Sequence, residues 1–169
     1  MSEQFPGLLP NELLDKLPPT TFNGKIFLIE KTEEIGAACA YLSKQLIIGF
    51  DTETRPSFKK GKVHKVALLQ LSTSDTAFLF RLNHIGLPDE ITSLLSNEKI
   101  TKVGLAIRDD INQLKKLKPF EPKNFIELQS MAEDFGIEEK SLKKLSAIVL
   151  KIRITKGQQT SNWENEILT

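Results

Sequence analysis

Apolar positions along this chain change period repeatedly, and each period predicts an element. Residues 46–54 open as an apolar run, Leu46-Ile47-Ile48-Gly49-Phe50, and finish as Asp51-Thr52-Glu53-Thr54. A short run of this kind reads as a strand. Residues 65–72 form a second, strongly apolar strand. The turn residues Thr73-Ser74-Asp75 then lead into a third at 76–82, so a hairpin is predicted. With the acidic strand these make a three-stranded antiparallel meander. Upstream, 25–30 reads as a strand, and 31–44 carries Ile35, Ala38, Cys39 and Leu42 at helical spacing. Downstream, the pattern predicts a helix at 88–96, a strand at 99–105, a helix at 107–117 and a short strand at 123–128. A helix over 129–135 is closed by Gly136, and Ser141 caps a last helix at 142–150. Residues 1–24 form a Pro-rich arm, in which Pro6, Pro10, Pro18 and Pro19 bracket a short helix starting at Asn11. A meander followed by alternating strands and helices implies an α/β fold with a mixed sheet flanked by helices.

The end of the acidic strand is where the chemistry concentrates. Side chains alternate across a strand, so Asp51 and Glu53 project from one face and lie within reach of one cation. Two carboxylates so close repel each other unless a metal or a proton intervenes. Oxygen donors alone suit Mg²⁺ or Mn²⁺. The same residues, taken without any other, also fit an acid pair that opens a solvated loop.

A third acid belongs with them. Ile107, Ile111 and Leu114 share one helical stripe, and Asp110 falls on it, whereas Asp109 lies on the other face with Asn112, Gln113 and Lys116. Asp110 is therefore expected to point toward the protein and Asp109 toward water. An inward acid is costly unless paired or metal-bound, although the first turn of a helix favours negative charge.

Composition narrows the class. With 169 residues, 40% of them hydrophobic and 27% charged, the chain can form one ordinary soluble domain with a single core. No apolar run approaches the ~18 residues of a membrane span, and Met1–Gln4 has no signal-peptide pattern, so a cytoplasmic location is the simplest expectation. Cys39, the only cysteine, is expected as a packed core thiol. The formal net charge of +1 announces no partner. Two local basic stretches stand out: Phe58-Lys59-Lys60-Gly61-Lys62-Val63-His64-Lys65, and a set of Lys140, Lys143, Lys144, Lys151, Arg153 and Lys156. Both fit solvated surface. The first gains interest because it follows the acids, where a phosphate backbone needs counter-charge.

Taken together, Ile48-Gly49-Phe50-Asp51-Thr52-Glu53-Thr54-Arg55-Pro56 and Val103-Gly104-Leu105-Ala106-Ile107-Arg108-Asp109-Asp110 resemble the first two motifs of the DEDD-superfamily 3′–5′ exonuclease domain. The ribonuclease D and Werner-syndrome exonuclease branch is the nearest in pattern. Between the motifs, Ala67-Leu68-Leu69-Gln70-Leu71-Ser72 followed by Ala77-Phe78-Leu79-Phe80 resembles that family's hairpin. Thr160-Ser161-Asn162-Trp163 resembles the stretch before its third motif. The resemblance spans residues 25–169 and is more specific in combination than in any part.

The resemblance implies a ribonuclease-H-like fold with a five- or six-stranded mixed sheet. It also implies two-metal phosphodiester hydrolysis at the 3′ ends of single-stranded or 3′-ended DNA or RNA, with two Mg²⁺ or Mn²⁺ ions as cofactors. On that basis Asp51 bridges both ions, Glu53 holds one of them with the attacking water, and Asp110 anchors the other. Thr52 and Thr54 would contact the terminal nucleotide, and Phe58 would press on its base or sugar.

One part of the family pattern is not found. The third motif needs a further Asp preceded at four residues by a Tyr or His base, yet Tyr41, His64 and His84 all precede Asp110. After Trp163 the acids are only Glu164 and Glu166. The expectation is a domain cut short before its third motif and impaired for that reason, since loss of a general base typically costs ~10²–10⁴-fold. The alternative is a noncatalytic nucleic-acid-binding or scaffolding module on the same fold. Sequence leaves DNA versus RNA, and the oligomeric state, open.

Overall fold

In the computed structural model the described residues are 5–54 and 65–155. Their elements, in chain order, are α1 (Asn11–Leu14), β1 (Pro19–Thr20), β2 (Lys25–Ile29), α2 (Thr32–Leu42), β3 (Ile47–Thr54), β4 (Val66–Ser72), β5 (Thr76–Arg81) and α3 (Leu82–Ile85). They continue as α4 (Asp89–Leu95), β6 (Thr101–Gly104), α5 (Ile107–Leu117), β7 (Phe125–Glu127), α6 (Leu128–Asp134), α7 (Leu142–Leu150) and β8 (Arg153–Ile154). They fall into two compact units, one built on residues 24–126 and one on 5–23 with 127–155.

The first unit carries a six-stranded sheet in the order β2-β5-β4-β3-β6-β7. The meander is present: β3 pairs antiparallel with β4, and β4 with β5. The hairpin between β4 and β5 closes through Thr73 N–H donating to Thr76 O (2.7 Å). Asp75 reinforces it by accepting from the hydroxyls of Thr73 (2.8 Å), Thr76 (3.0 Å) and Tyr41 (3.3 Å). Two parallel pairings, β2 with β5 and β3 with β6, make the sheet mixed. The register places Phe50 opposite Leu71, Leu71 opposite Phe78, Thr52 opposite Leu69 and Leu69 opposite Phe80. Opposed residues share a face, so these side chains line one side of the sheet. They join α2 (Ile35, Ala38, Cys39, Leu42), α4 (Ile91, Leu94, Leu95) and α5 (Ile107, Leu114) in one apolar core.

The second unit holds α1, α6, α7 and the two-residue parallel pair β1–β8, with Pro19 opposite Arg153 and Thr20 opposite Ile154. Gly136, at φ +76°, ends α6: its N–H reaches Glu133 O (2.9 Å) and Ile137 N–H reaches Ala132 O (3.0 Å). Both bonds satisfy carbonyls that the helix leaves without partners. Ser141 caps α7 by accepting from Lys144 N–H (3.3 Å). Buried Glu139 accepts from Leu9 N–H (2.9 Å) and Lys144 Nζ (2.7 Å), tying residue 9 to α7.

Every element expected from periodicity is present, within a few residues at its ends. The structure adds α3, β1 and β8, which at two to four residues are too short to show a period. Cys39 is buried, and desolvation, with the Glu90 carboxylate adding to it, pushes its thiol up to about 11. No helix among the described residues is long and apolar enough to cross a membrane.

Among the described residues, the buried charged side chains include Lys102 as well as Arg81 and Glu139. Lys102, on β6, is 0% exposed; its Nζ donates to Asn97 O (2.7 Å) and Ile100 O (2.8 Å) and stands 5.1 Å from the centre of the Phe125 ring. Burial pulls its ammonium down from 10.5 to about 8. Below pH 8 the folded and unfolded chains both hold this proton, so the cost of burying the charge is fully present. Between pH 8 and 10.5 only the unfolded chain holds it, so stability rises with pH. The gain is on the order of 3 kcal/mol. Denaturant unfolding of wild type and Lys102→Met at pH 7.5 and pH 10.5 should show the wild type gaining on the variant at the higher pH. A difference that stays flat across that range contradicts the assignment.

Candidate active site

The site is built at the carboxyl end of β3, where the two neighbouring strands treat it differently. Pairing with β4 runs from Gly49 to Thr54, with a register shift between Glu53 and Thr54. Pairing with β6 covers only Ile47 to Gly49. Past that point the chain leaves β6 at Gly104, where an added Cβ would stand 2.4 Å from Phe50 O and 2.4 Å from Ile107 Cγ2. Only a residue without a side chain lets the strands approach so closely. Ala106 then takes a left-handed conformation, φ +57° and ψ +32°, and α5 starts at the next residue. This tight exit puts the first turn of α5 beside the end of β3. Crevices at the carboxyl ends of strands are where open α/β sheets commonly bind ligands.

Thr52 joins the two segments. Its backbone N–H donates to Asp51 Oδ1 (2.9 Å), and its hydroxyl donates to Asp110 Oδ1 (2.5 Å). Asp51 is exposed and Glu53 half-buried on the same face of β3, while Thr52 between them is buried on the other. Asp110 is half-buried in the first turn of α5 and Asp109 is exposed, as the helical stripe predicts. The helix amides there favour a carboxylate. Asp51 and Asp110, far apart in sequence, thus meet at one residue, and Glu53 shares the face of Asp51. In kind, three carboxylates match a hard divalent cation. Among the described residues, no three His, Cys, Asp or Glu side chains are grouped to hold one ion.

The other expected residues divide. Thr54 is exposed at the end of β3. Phe58, His64 and Thr160–Trp163 lie outside the described residues, as does all of the first basic stretch except Lys65. The second basic stretch is largely engaged within its own unit: Lys140 with Glu133, Lys144 with Glu139, Lys151 with Ile148 O, and Arg153 with Asp15 at 3.9 Å. Those cations balance local acids and carbonyls. The Thr52 hydroxyl, which the resemblance directs at a nucleotide, is engaged by Asp110.

Three positions near the acids escaped the sequence reading. Gln70 lies directly opposite Asp51, and Gly49 opposite Ser72. At Gly49 an added Cβ would stand 2.5 Å from Ser72 Oγ, so that hydroxyl fills the missing side chain's place. Gly104 is the third. The available signal was a glycine inside each apolar run, which marks close backbone approach.

Comparison with known proteins points one way. A sequence profile described as 3′–5′ exonuclease matches residues 26–169. The bifunctional 3′–5′ exonuclease/ATP-dependent helicase WRN of Mus musculus is 32% identical over 173 residues, covering 93% of this chain and 12% of its own length. The chain spans 12% to 36% of the length of such sequence relatives. Among solved structures, the EXO domain of Aedes aegypti Nibbler superposes with a TM-score of 0.78 at 21% identity, covering 89% of this chain and 81% of that one. Trypanosoma brucei RNase D in complex with RNA U12 superposes with a TM-score of 0.53 at 22% identity, covering 70% and 40%. The mixed six-stranded sheet flanked by helices is the ribonuclease-H-like fold of these neighbours.

The two glycine environments give a paired test. Gly104→Ala forces a Cβ into Phe50 O and should lower the unfolding free energy by roughly 1–3 kcal/mol, as overpacking does. Gly36 lies mid-helix in α2 with nothing within 4 Å of its would-be Cβ. Gly36→Ala should therefore raise stability by roughly 0.5–1 kcal/mol. Denaturant titration of both variants checks the pair, and equal shifts in the same direction contradict the close approach at Gly104.

Proposed function

We infer that this chain, which belongs to the 3′–5′ exonuclease family, hydrolyses phosphodiester bonds stepwise from the 3′ ends of nucleic acids. The observation that carries this reading is the meeting of Asp51 and Asp110 at Thr52, with Glu53 on the face of Asp51. These three carboxylates would hold the divalent cations, Mg²⁺ or Mn²⁺. Bound there, such ions supply Lewis acidity and counter-charge to the scissile phosphate. Asp51 and Glu53 would orient the attacking water on the exposed face of β3. Asp110 would close the opposite side of the crevice from the start of α5. Thr54, at the exposed strand end, would meet the terminal nucleotide, and Phe58 would stack on its base or sugar.

The substrate would be single-stranded or 3′-ended DNA or RNA; the RNase D neighbour solved with RNA U12 supports a nucleic-acid ligand for this crevice. Grip on the backbone and stacking of terminal bases make such binding indifferent to sequence. No Tyr or His follows Asp110 in the 169 residues. Assayed by themselves, these residues should trim slowly, by the ~10²–10⁴-fold that a missing general base costs. A second reading, a noncatalytic module that binds nucleic acid on an exonuclease-like fold, is favoured by the finding that no three His, Cys, Asp or Glu side chains among the described residues are grouped to hold one ion.

The test is a 3′-end trimming assay on 5′-labelled single-stranded DNA and RNA with Mg²⁺, Mn²⁺ or EDTA, run beside Asp51→Asn. Slow stepwise shortening, absent with EDTA and lowered at least ~10²-fold by the substitution, is expected. Oligonucleotide binding without any metal-dependent shortening would establish the second reading instead. Rapid trimming by these residues would refute the missing-base argument.

A further inference from the structure

We propose that Thr52 is a positioning residue that sets the orientation of the two acids flanking the crevice, and that its hydroxyl does not contact the nucleic acid. This rests on the exonuclease reading above and adds to it a role for the residue between the two strand acids.

The argument begins with strand alternation. Asp51 and Glu53 occupy one face of β3, so Thr52 must face the other, where it is 9% exposed and opposes fully buried Leu69. A β-branched side chain has few χ1 choices. Within that buried setting the hydroxyl donates to the Asp110 carboxylate at 2.5 Å. A hydroxyl donating to a carboxylate at that distance is a charge-assisted bond, about twice as strong as a neutral one. The donor is thus committed to Asp110 and turned away from the face on which Asp51 and Glu53 present their oxygens.

The same residue holds Asp51 by a different group. Its backbone N–H donates to Asp51 Oδ1 (2.9 Å), so one residue bonds both carboxylates, one through the main chain and one through the side chain. Each bond is accepted by the Oδ1 atom of its carboxylate, so Thr52 biases how each acid is oriented. Residues that hydrogen-bond metal ligands in this way commonly change metal affinity or activity by 10–100-fold when removed. A substrate-contacting hydroxyl would instead change affinity for the nucleic acid and leave ion binding alone.

Mn²⁺ binding to the metal-free 169-residue chain, followed by electron paramagnetic resonance without substrate, separates these roles. Thr52→Val keeps the shape and removes the donor; it should weaken Mn²⁺ binding by about tenfold or more. Thr52→Ser keeps the donor and should bind as the wild type does. If the valine variant does not fold, Thr52→Ala against Thr52→Ser gives the same comparison, since both lack the methyl. Asp51→Asn is the reference for loss of the site. Normal Mn²⁺ binding by Thr52→Val, with Asp51→Asn defective, overturns the positioning role and leaves the exonuclease reading standing. Equal loss in Thr52→Ser and Thr52→Val also overturns it, because the hydroxyl would not be the determinant. Mn²⁺ binding that Asp51→Asn does not alter overturns both readings.

Discussion

Strand β3 is held along both edges, by β4 through most of its length and by β6 only at its start. That unequal pairing constrains everything at the crevice. On either side of Gly49, the residue paired with both neighbours, alternation sends Ile48 and Phe50 into the core. Where β6 has ended, the strand still obeys β4, so Thr52 must follow Phe50 inward and Asp51 and Glu53 must face outward together. The edge that β6 leaves is where α5 begins, and a residue with no side chain, Gly104, sets how near it comes. Acids from separate stretches of chain are thereby linked through one residue, Asp51 to the backbone N–H of Thr52 and Asp110 to its hydroxyl.

The energetic consequence is a division of labour between the strand faces. One face is apolar packing, in which Leu69, Leu71 and Phe80 of the strands join Ile91, Leu95 and Leu114 of the helices, all sealed from water. Burial of that kind contributes about 25 cal/mol per Å². The mutual repulsion of closely spaced carboxylates, a local cost near 1 kcal/mol in water and more where shielded, is tolerated because the apolar face supplies the stability. Lys102 adds a second local cost on β6, offset in part by two carbonyls and the Phe125 ring.

Much of this was legible in the sequence because it is local. The helical stripe of Ile107, Ile111 and Leu114 sorted Asp110 from Asp109, and the two-residue period of β3 sorted Asp51 and Glu53 from Thr52. Turn chemistry at Thr73–Asp75 announced the hairpin, and Gly136 and Ser141 announced helix ends. Pairings between distant segments were not legible. Nothing in residues 19–20 or 153–154 signals their parallel bridge, and no period reveals that β2 seats itself beside β5. The role of Thr52 was hidden for the same reason: its inward direction follows from alternation, but its partner lies 58 positions away. Likewise the burial of Lys102 cannot be read from a residue type that ordinarily remains in water.

The sealed thiol on α2 has a practical corollary. Cys39 is the only sulfhydryl in the chain, and at neutral pH it stays protonated inside the core. A reagent that seeks thiolates would pass it by in the folded protein. A cysteine introduced on the exposed rim of the crevice could then carry a spin label or fluorophore with no native competitor, giving a direct optical or magnetic view of what enters there.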